Sequence, residues 1–428
     1  LNADGTVLQK SSWKEGVLPI YNGDTPTKVM DATTFYSFSG WTPEIVPAHS
    51  DATYTATYES HDIAQESLKN LEFTYDSSSS GYEIRGNNDE LGLPALIIPS
   101  SYDDGTNGSH PVSAILSNAF WGWENLEWVK LPTSLRTIHD AAFGYCLALK
   151  ELDIPEGVLT LEQYAFTECQ ALEKVSFPST LQEVGMALVK GDTALTTISV
   201  ASGNPTFTSD GRALIQEGTI LVAYANGSGK EYTVKEGITT IGTMAIAGSD
   251  TLETLALPSS LTSMSFLEGC TALKKMSIAE GNANFTTDSR SIVDVQDKAL
   301  IAYANASGSD YVIPEGIVKL ETEAFAKAVS LVSVSLPSSL TTIEINAFAH
   351  CSALKSLVIP SMVSTVGSGA CLACDSLESV VLSSKMTKIC AACFANCSKL
   401  NNVILPASIT EIEQNGFNSC QDLTNLSF

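Results

Sequence analysis

The sequence predicts an elongated solenoid of stacked repeats, with parallel strands on one face, preceded by a small β-rich module. Three observations lead to this prediction. An apolar segment ending in proline recurs in steps of 23 residues, a second apolar segment follows each proline at fixed offsets, and the chain has 428 residues. A single compact core rarely reaches that length, whereas a repeat array grows by adding units.

The first half of each repeat predicts a short strand. Its pattern, Leu-x-x-Leu/Val-x-apolar-Pro, ends at Pro155, Pro178, Pro337, Pro360 and Pro406. Apolar residues two apart share one face of a strand, and proline ends strand pairing because it has no N–H to donate. Stacked copies therefore form a parallel sheet that covers a continuous core.

The second half of each repeat predicts the return of the chain. After Pro337 come Leu340, Ile343, Ala347 and Phe348, at offsets that also follow the other prolines. The Ala-Phe-x-x-Cys segment is expected to turn the chain through a short helical or 3-10 return. Its phenylalanines should stack as an internal column: Phe143, Phe166, Phe325, Phe348, Phe394 and Phe417. We expect about thirteen or fourteen coils, about 60–65 Å in all at roughly 4.8 Å per strand step.

Two coils carry a longer insert, in residues 198–238 and 276–317, and the two are copies of one larger unit. Each predicts a β-hairpin, with Asp210 and Gly211 suited to the turn of the first. The predicted fold class is therefore an α/β-type repeat: a leucine-rich-repeat solenoid with parallel strands, repeats of about 23 residues, short returns and β-hairpin inserts.

The complete repeat follows C-x-x-L-x-x-L-x-I-P-x-x-V-x-x-I-x-x-x-A-F. Over residues 68–428 it resembles the BspA-like leucine-rich repeats of bacterial surface antigens, and residues 68–112 resemble the N-terminal cap of such arrays. Residues 1–60 resemble small strand-rich repeat modules of secreted and wall-attached bacterial proteins, with residues 61–67 as a linker. The resemblance implies an extracellular protein at the bacterial cell surface. We expect its secretion signal and its anchor outside these residues.

The composition excludes some partners. The net charge of −25 repels nucleic-acid phosphates and disfavours anionic membrane surfaces. No apolar run approaches the roughly 20 residues that a membrane helix needs. We therefore expect no nucleic acid, no membrane span in this segment, and a monomer.

The residues that could carry chemistry do not form a catalytic pattern. The five histidines pair with no cysteine, serine or carboxylate in a recognised spacing, and no phosphate-binding glycine loop is present. We predict no enzyme activity, no catalytic residue, no cofactor and no metal. Six of the ten cysteines share one repeat position, which favours a column of buried thiols, with Cys270 as a shifted seventh. A zinc site or a local disulfide at Cys371, Cys374, Cys390 and Cys393 is the alternative.

The first candidate binding surface is an apolar run on the outward face of the predicted sheet. Two residues before the proline position, three consecutive coils carry Val358, Val381 and Ile404, where most other coils carry polar or small residues. A contiguous exposed apolar strip can mark an interaction surface. The alternatives are simple β-propensity on a solvated sheet, or cover by another part of the protein.

The second candidate lies near the N-terminal end of the array. Trp128 is predicted on the outward face of its strand, near Lys130, Glu151 and Asp153. An exposed tryptophan can stack on a sugar ring or anchor a protein partner. Alternatively, it packs under the N-terminal cap.

These features predict a cell-surface binding or adhesion protein that recognises a host matrix protein or a glycan through the exposed sheet. The alternatives are a passive structural spacer within a larger surface protein, or a non-catalytic accessory of a glycan-degrading system. Changes to the outward-facing residues distinguish a binding protein from a spacer.

Overall fold

The computed structural model describes residues 1–87, 92–424 and 426–427. Residues 88–91, which belong to the expected cap, and Phe428, the expected last residue of the array, lie outside the described residues. In chain order, the elements form an N-terminal hairpin, a cap and a stack of coils. Two insert units interrupt the stack.

The N-terminal hairpin consists of β1 (Thr34–Thr42) and β2 (Thr55–Asp62), which pair antiparallel. Helix α1 (Ile63–Lys69) follows directly, because the Asp62 carboxylate accepts a hydrogen bond from the Gln65 amide and caps the helix. Residues 61–67, expected as a linker, thus form the end of β2 and most of α1. The assignment of residues 1–60 to a separate module stays a prediction.

Helix α1 is tied to the array that follows it. Ile63 is fully buried, and the Ser67 hydroxyl accepts a hydrogen bond of 2.8 Å from the Ile97 amide. The cap strands are β3 (Leu71–Asp76), β4 (Gly81–Gly86), β5 (Ala95–Ile97), β6 (Ser101–Asp103) and β7 (Ser109–Ile115). Strand β4 pairs antiparallel with β3 and parallel with β7, so the cap converts a hairpin into the parallel stack.

The stack consists of short parallel strands. The first coils contain β8 (Trp128–Lys130), β9 (Thr137–Ile138), β10 (Glu151–Asp153), β11 (Thr160–Leu161), β12 (Lys174–Phe177), β13 (Glu183–Val184) and β14 (Thr197–Val200). The first insert unit is β15 (Phe207–Ser209), β16 (Ala213–Gln216) and β17 (Ile220–Tyr224). The next coils contain β18 (Glu231–Thr233), β19 (Thr240–Ile241), β20 (Thr254–Leu257), β21 (Ser263–Met264) and β22 (Lys275–Ile278).

The second insert unit is β23 (Phe285–Thr287), β24 (Ser291–Asp294) and β25 (Ala299–Tyr303). The remaining strands are β26 (Asp310–Val312), β27 (Lys319–Leu320), β28 (Ser333–Ser335), β29 (Thr342–Ile343), β30 (Ser356–Val358), β31 (Thr365–Val366), β32 (Ser379–Val381), β33 (Lys388–Ile389), β34 (Asn402–Ile404), β35 (Glu411–Ile412) and β36 (Leu426–Ser427).

Each coil contributes to two parallel sheets. The strands that precede the proline position form the front sheet, in which Glu151 lies opposite Lys174, one 23-residue repeat later. The two-residue strands that follow the proline form the lateral sheet, in which Thr137 lies opposite Thr160. Leucine, isoleucine and valine side chains from both sheets fill a buried core along the solenoid axis. The predicted parallel solenoid is thus confirmed.

The inserts form the predicted hairpins and also join the lateral sheet. Strand β16 pairs antiparallel with β15 and β17, and β17 then pairs parallel with β19. The turn at Asp210 and Gly211 reaches the front sheet, where the Gly211 carbonyl accepts a hydrogen bond of 3.0 Å from the Ile198 amide. The second insert repeats this arrangement, with a bond of 2.8 Å from the Met276 amide to the Ser289 carbonyl. We call these two turns the insert tips.

The returns differ from the expected short helical segments. Each is a corner of consecutive turns, and non-glycine residues adopt left-handed φ angles there, such as Tyr164 at 57° and Glu168 at 59°. This conformation leaves backbone groups free to pair between coils: the Phe143 amide donates to the Ala165 carbonyl at 2.9 Å. A helix would use those groups internally, so the corner forms a third row of inter-coil hydrogen bonds.

The internal columns lie in these corners. Neighbouring phenylalanine rings stack, with centroids 5.0 Å apart for Phe325 and Phe348 and 5.3 Å apart for Phe394 and Phe417. Cys371 occupies the phenylalanine position between these two pairs and is buried. The column of buried thiols is likewise confirmed for Cys146, Cys169, Cys351, Cys374 and Cys397, whereas Cys420 is partly exposed.

Candidate binding surface

The apolar run predicted on the outward face is a continuous ladder. Val358 lies opposite Val381, and Val381 lies opposite Ile404, in the three adjacent strands β30, β32 and β34. Their exposed fractions are 60%, 51% and 62%, because the alternate residues of each strand point into the core. The structure therefore brings these three predicted residues together on one solvent-facing strip.

Sequence analysis missed a fourth member of this column. Val312 in β26 is 72% exposed and lies opposite Ser335 in β28, which precedes β30 in the stack. The signal was available, since Val312 stands two residues before Pro314. Val312 was not identified from the sequence because its strand follows the second insert, which interrupts the 23-residue spacing. Four apolar residues, Val312, Val358, Val381 and Ile404, thus share this position, and Ser335 occupies it in β28 between the first two. We call the five positions together the apolar column.

A column of small polar side chains runs beside the apolar column. It consists of Ser333, Ser356, Ser379 and Asn402, each two residues before a member of the apolar column and therefore on the same face of its strand. Ser333 donates a hydrogen bond of 2.5 Å to Asp310, and this bond lowers the pKa of that carboxyl. The other three have no side-chain hydrogen-bond partner among the described residues. We call these four residues the polar column.

The second group of predicted residues lies near the other end of the front sheet. Trp128 is half-buried, lies opposite Ala95 in β5, and packs against the core under the cap. Lys130, Glu151 and Asp153 are exposed. The tryptophan is thus partly covered by the cap, whereas the three charged residues are exposed to solvent.

The two predicted groups do not form one site. Strands β12, β14, β18, β20, β22, β26 and β28 and both insert tips lie between β10 and β30. This separation is roughly ten strand positions, or about 48 Å at the usual strand spacing. A ligand that contacts Asp153 and Val358 together would have to be correspondingly long.

The middle of the front sheet carries paired charges. The Glu253 carboxylate forms ion pairs of 2.9 Å with Lys230 and 2.7 Å with Lys274, and the side-chain hydrogen bonds from Lys274 and Lys230 lower its pKa to about 2. Because these two lysines already have a carboxylate partner, they offer little free positive charge to a ligand. The uncharged apolar column therefore differs in chemistry from the rest of the face.

The insert tips are held rigidly by a network that occurs twice. The Arg290 guanidinium donates to the Tyr303 hydroxyl and the Asp310 carbonyl, each at 2.8 Å, and the Tyr311 hydroxyl donates to Asp288 at 2.9 Å. In the first insert, the corresponding network is formed by Asp210, Arg212, Tyr224, Glu231 and Tyr232. These bonds orient the arginines towards the protein, so the tips act as fixed boundaries between blocks of the front sheet.

Two further observations concern metal binding and membrane-spanning helices. Among the described residues, no group of three or more histidine, cysteine, aspartate or glutamate side chains could hold a metal ion, and all ten cysteines are free thiols. Within the same part of the chain, no helix combines the length and the apolar character needed to cross a membrane.

The repeat can be compared directly with known families. The family model described as BspA type leucine-rich repeat region matches in six copies, over residues 107–210, 222–290 and 300–424. These ranges cover more than half of the chain. The chain belongs to the BspA-type leucine-rich repeat family. The resemblance inferred from the repeat pattern is thereby confirmed.

Solved structures provide further likenesses to this BspA-type protein. A leucine-rich repeat protein from Eubacterium ventriosum is 18% identical, with a TM-score of 0.44 and coverage of 70% of this chain and 92% of that one. The pneumococcal vaccine antigen PcpA is 18% identical, with a TM-score of 0.39 and coverage of 81% and 93%. A leucine-rich cell surface protein from Faecalibacterium prausnitzii is 18% identical, with a TM-score of 0.35 and coverage of 82% and 96%. No curated protein matches.

Proposed function

We propose that this BspA-type protein is a non-catalytic binding protein of the bacterial cell surface, which holds an extracellular protein or glycan on the C-terminal part of its front sheet. The observation that carries the proposal is the in-register exposure of Val358, Val381 and Ile404. Burying such side chains against a partner is favourable by about 25 cal/mol per Å² of apolar surface.

Two further features support this proposal. The residues beneath the apolar column, such as Leu357, Val380 and Val403, are buried and packed, so the strip is presented on a rigid support. The net charge of −25 disfavours nucleic acid and anionic membranes, which leaves proteins and glycans as the main partner classes. Family membership supports a location at the cell surface.

The test is a binding comparison between the native chain and a triple variant, Val358→Asp, Val381→Asp and Ile404→Asp. A matched control places the same three charges at Thr233→Asp, Ala256→Asp and Ser277→Asp. Those positions are also consecutive and in register on the outward face of the front sheet. All three proteins are first compared by thermal melting, since outward substitutions should leave the core intact.

The proteins are then immobilised and exposed to a panel of extracellular-matrix proteins, mucin and a glycan array. We expect the native chain and the control to bind a common partner that the triple variant loses. Binding that survives in the triple variant moves the site to Trp128, Lys130, Glu151 and Asp153 or to the insert tips. Silence of the native chain across the panel contradicts the proposal and favours a passive spacer.

A further inference from the structure

The apolar column and the polar column together form a strip with a regular repeat. From β26 to β34, each coil presents one residue of the apolar column and, two residues before it, one small polar or acidic side chain. Parallel strands lie about 4.8 Å apart, so the pattern repeats at that interval along the solenoid axis. A ligand that matches the strip should therefore be a repeating chain.

The strip is too narrow for an ordinary protein interface. Five strands with three residues each span about 24 Å by about 10 Å, or roughly 240 Å². Stable protein interfaces bury about 800 Å² on each partner. A globular partner would therefore have to contact the charged margins as well, such as Lys355 and Glu378, which are exposed beside the strip. A single extended chain fits the strip without them.

An extended peptide is a poor match for the same strip. Peptides that bind sheets usually pair with an open strand edge, and proline-rich peptides require an aromatic groove. Here the main chain of β30, β32 and β34 is already paired from strand to strand, and the strip carries aliphatic side chains. The face therefore offers side-chain contacts only, and a ligand must bring its own hydrogen-bonding groups at its edges.

We propose that the strip binds a neutral, linear polysaccharide whose chain lies along the solenoid axis from Val312 to Ile404. This inference rests on the proposed function and names the ligand class of the same surface. The C–H faces of successive sugar rings pack on the apolar column, and ring hydroxyls hydrogen bond with Ser356, Ser379 and Asn402. In the part of the chain that the structure describes, these three side chains have no other hydrogen-bond partner.

Charge selects a neutral chain. The strip contains one carboxylate, Asp310, and no basic residue, and the whole chain has a net charge of −25. An acidic glycan would be repelled by this field, and the strip has no arginine or lysine with which to pair its carboxylates or sulfates. A strongly basic polymer would be attracted by the same field, but the strip itself offers it a single exposed carboxylate, Asp310, which provides little local attraction.

The experiment uses the full chain and neutral β-1,4-linked oligosaccharides of hexose and of N-acetylhexosamine, from disaccharide to hexasaccharide, measured by titration calorimetry. Hyaluronan serves as the acidic comparison, and the matrix-protein panel serves as a separate arm. One variant removes the polar groups (Ser356→Ala, Ser379→Ala, Asn402→Ala), and a second interrupts the apolar column (Val381→Lys). The matched control is Thr254→Ala, which removes a hydroxyl from the corresponding strand position in β20.

We expect the affinity for a neutral oligosaccharide to rise with chain length, because a longer chain contacts more coils. Each variant should weaken binding by at least about tenfold, which is the effect of losing about 1.4 kcal/mol of contacts. The control should bind like the native chain, and hyaluronan should not bind.

Four outcomes overturn the inference. Glycan binding that is unchanged in both variants places the site elsewhere on the protein. Affinity that does not depend on chain length indicates recognition of a sugar end rather than of a chain along the strip. Binding of a matrix protein that requires Val381, with no glycan bound, overturns the glycan assignment while the proposed function stands. Silence in both arms overturns both.

Discussion

The thiol of Cys169 donates a hydrogen bond of 3.1 Å to the backbone carbonyl of Phe143, which lies 26 residues earlier in the preceding coil. The same bond joins Cys351 to Phe325 and Cys374 to Phe348, at 3.2 Å and 3.1 Å. Each thiol is thus a small buried donor that satisfies a corner carbonyl. The cysteines have a structural role in the corner that requires neither metal nor disulfide.

The first prediction concerns thiol reactivity in the native protein. Burial raises the pKa of Cys270 and of Cys351 to about 12, and the thiolate is the reactive form. We expect maleimide to label only Cys390 and Cys420, which are partly exposed. Mass spectrometry after limited labelling measures this, and labelling in denaturant serves as the control. Rapid labelling of Cys351 in the folded protein would contradict the prediction.

A second prediction concerns Asp192, which occupies the cysteine position of its corner and is fully buried. One carboxyl oxygen accepts a hydrogen bond of 2.8 Å from the Cys169 amide, and the other has no partner among the described residues. Burial raises the pKa of this carboxyl well above the usual value of an aspartate side chain. The folded protein therefore binds a proton that the unfolded chain releases.

The sign of the effect follows from this difference. Above the ordinary carboxyl pKa, the folded state holds more protons than the unfolded state, so the free energy of unfolding falls as the pH rises towards the folded-state pKa. Asp192→Asn should remove that part of the pH dependence, and Asp192→Cys should stabilise the protein at pH 7 by about 1–3 kcal/mol. Urea unfolding at pH 5 and pH 8 measures this, with Asp153→Asn as the exposed control. Equal slopes in native and Asp192→Asn proteins would disprove it.

A third prediction concerns an ion-pair cluster that joins distant coils. Glu268 pairs with Lys190, and with Lys327 at 3.1 Å. Lys190 can contact Glu268 because the two intervening corners pack closely against each other. Glycine at position 248 permits this packing, since a Cβ atom there would lie 2.7 Å from the Gly191 nitrogen. Burial alone would lower the pKa of Lys190, but the hydrogen bond and the charge of Glu268 raise it. The pair is thus retained in its charged form.

Because the cluster is only partly solvated, Glu268→Gln leaves two lysines without their ion-pair partner and with Glu323 as a nearby carboxylate. We expect a loss of about 2–3 kcal/mol, below the 3–5 kcal/mol typical of fully buried pairs. Glu253→Gln, which breaks exposed pairs on the front sheet, should cost much less. Chemical denaturation of both variants gives the comparison. Similar losses for the two would show that the cluster contributes no more than surface pairs.

A fourth prediction uses the repeated network of the insert tips. The Tyr311 hydroxyl donates to Asp288 and contacts Ser291 at 2.8 Å, and the Tyr232 hydroxyl donates to Asp210 at 3.0 Å. Tyr311→Phe and Tyr232→Phe should each lower the free energy of unfolding by about 1–2 kcal/mol, since each leaves a carboxylate with one bond fewer. The double variant should show additive losses because the two tips share no contact. A strongly non-additive result would indicate that the tips are coupled.

The fold was predictable because its signal repeats. The prolines, the alternating leucines and the Ala-Phe pairs occur often enough that the parallel strands and the phenylalanine column followed from spacing alone. The corners were not predictable in detail. Their left-handed residues include Tyr164, Glu168 and His350, and these side chains carry no sequence signal for that conformation. The inter-coil hydrogen bonds impose it.

The candidate site was predictable in part for a similar reason. Val358, Val381 and Ile404 were identified because their coils are regular, whereas Val312 follows an insert and its register is set by pairing across β26 and β28. The position of Trp128 under the cap depends on β5, which belongs to the irregular N-terminal strands. Sequence spacing places a residue on a face, but contacts between non-repeating segments decide how open that face is.

The third row of hydrogen bonds, in the corners, has a mechanical consequence. At the boundary between the coil of β10 and β11 and the coil of β12 and β13, the front sheet, the lateral sheet and the corner all contribute hydrogen bonds, the corner through the bond from the Phe166 amide to the Leu188 carbonyl at 3.1 Å. All three rows lie roughly along the axis, so tension on the two ends pulls on them together at one boundary and then at the next. A chain pulled at its two ends would therefore lengthen in discrete steps, each releasing one coil and about 80 Å of extended chain.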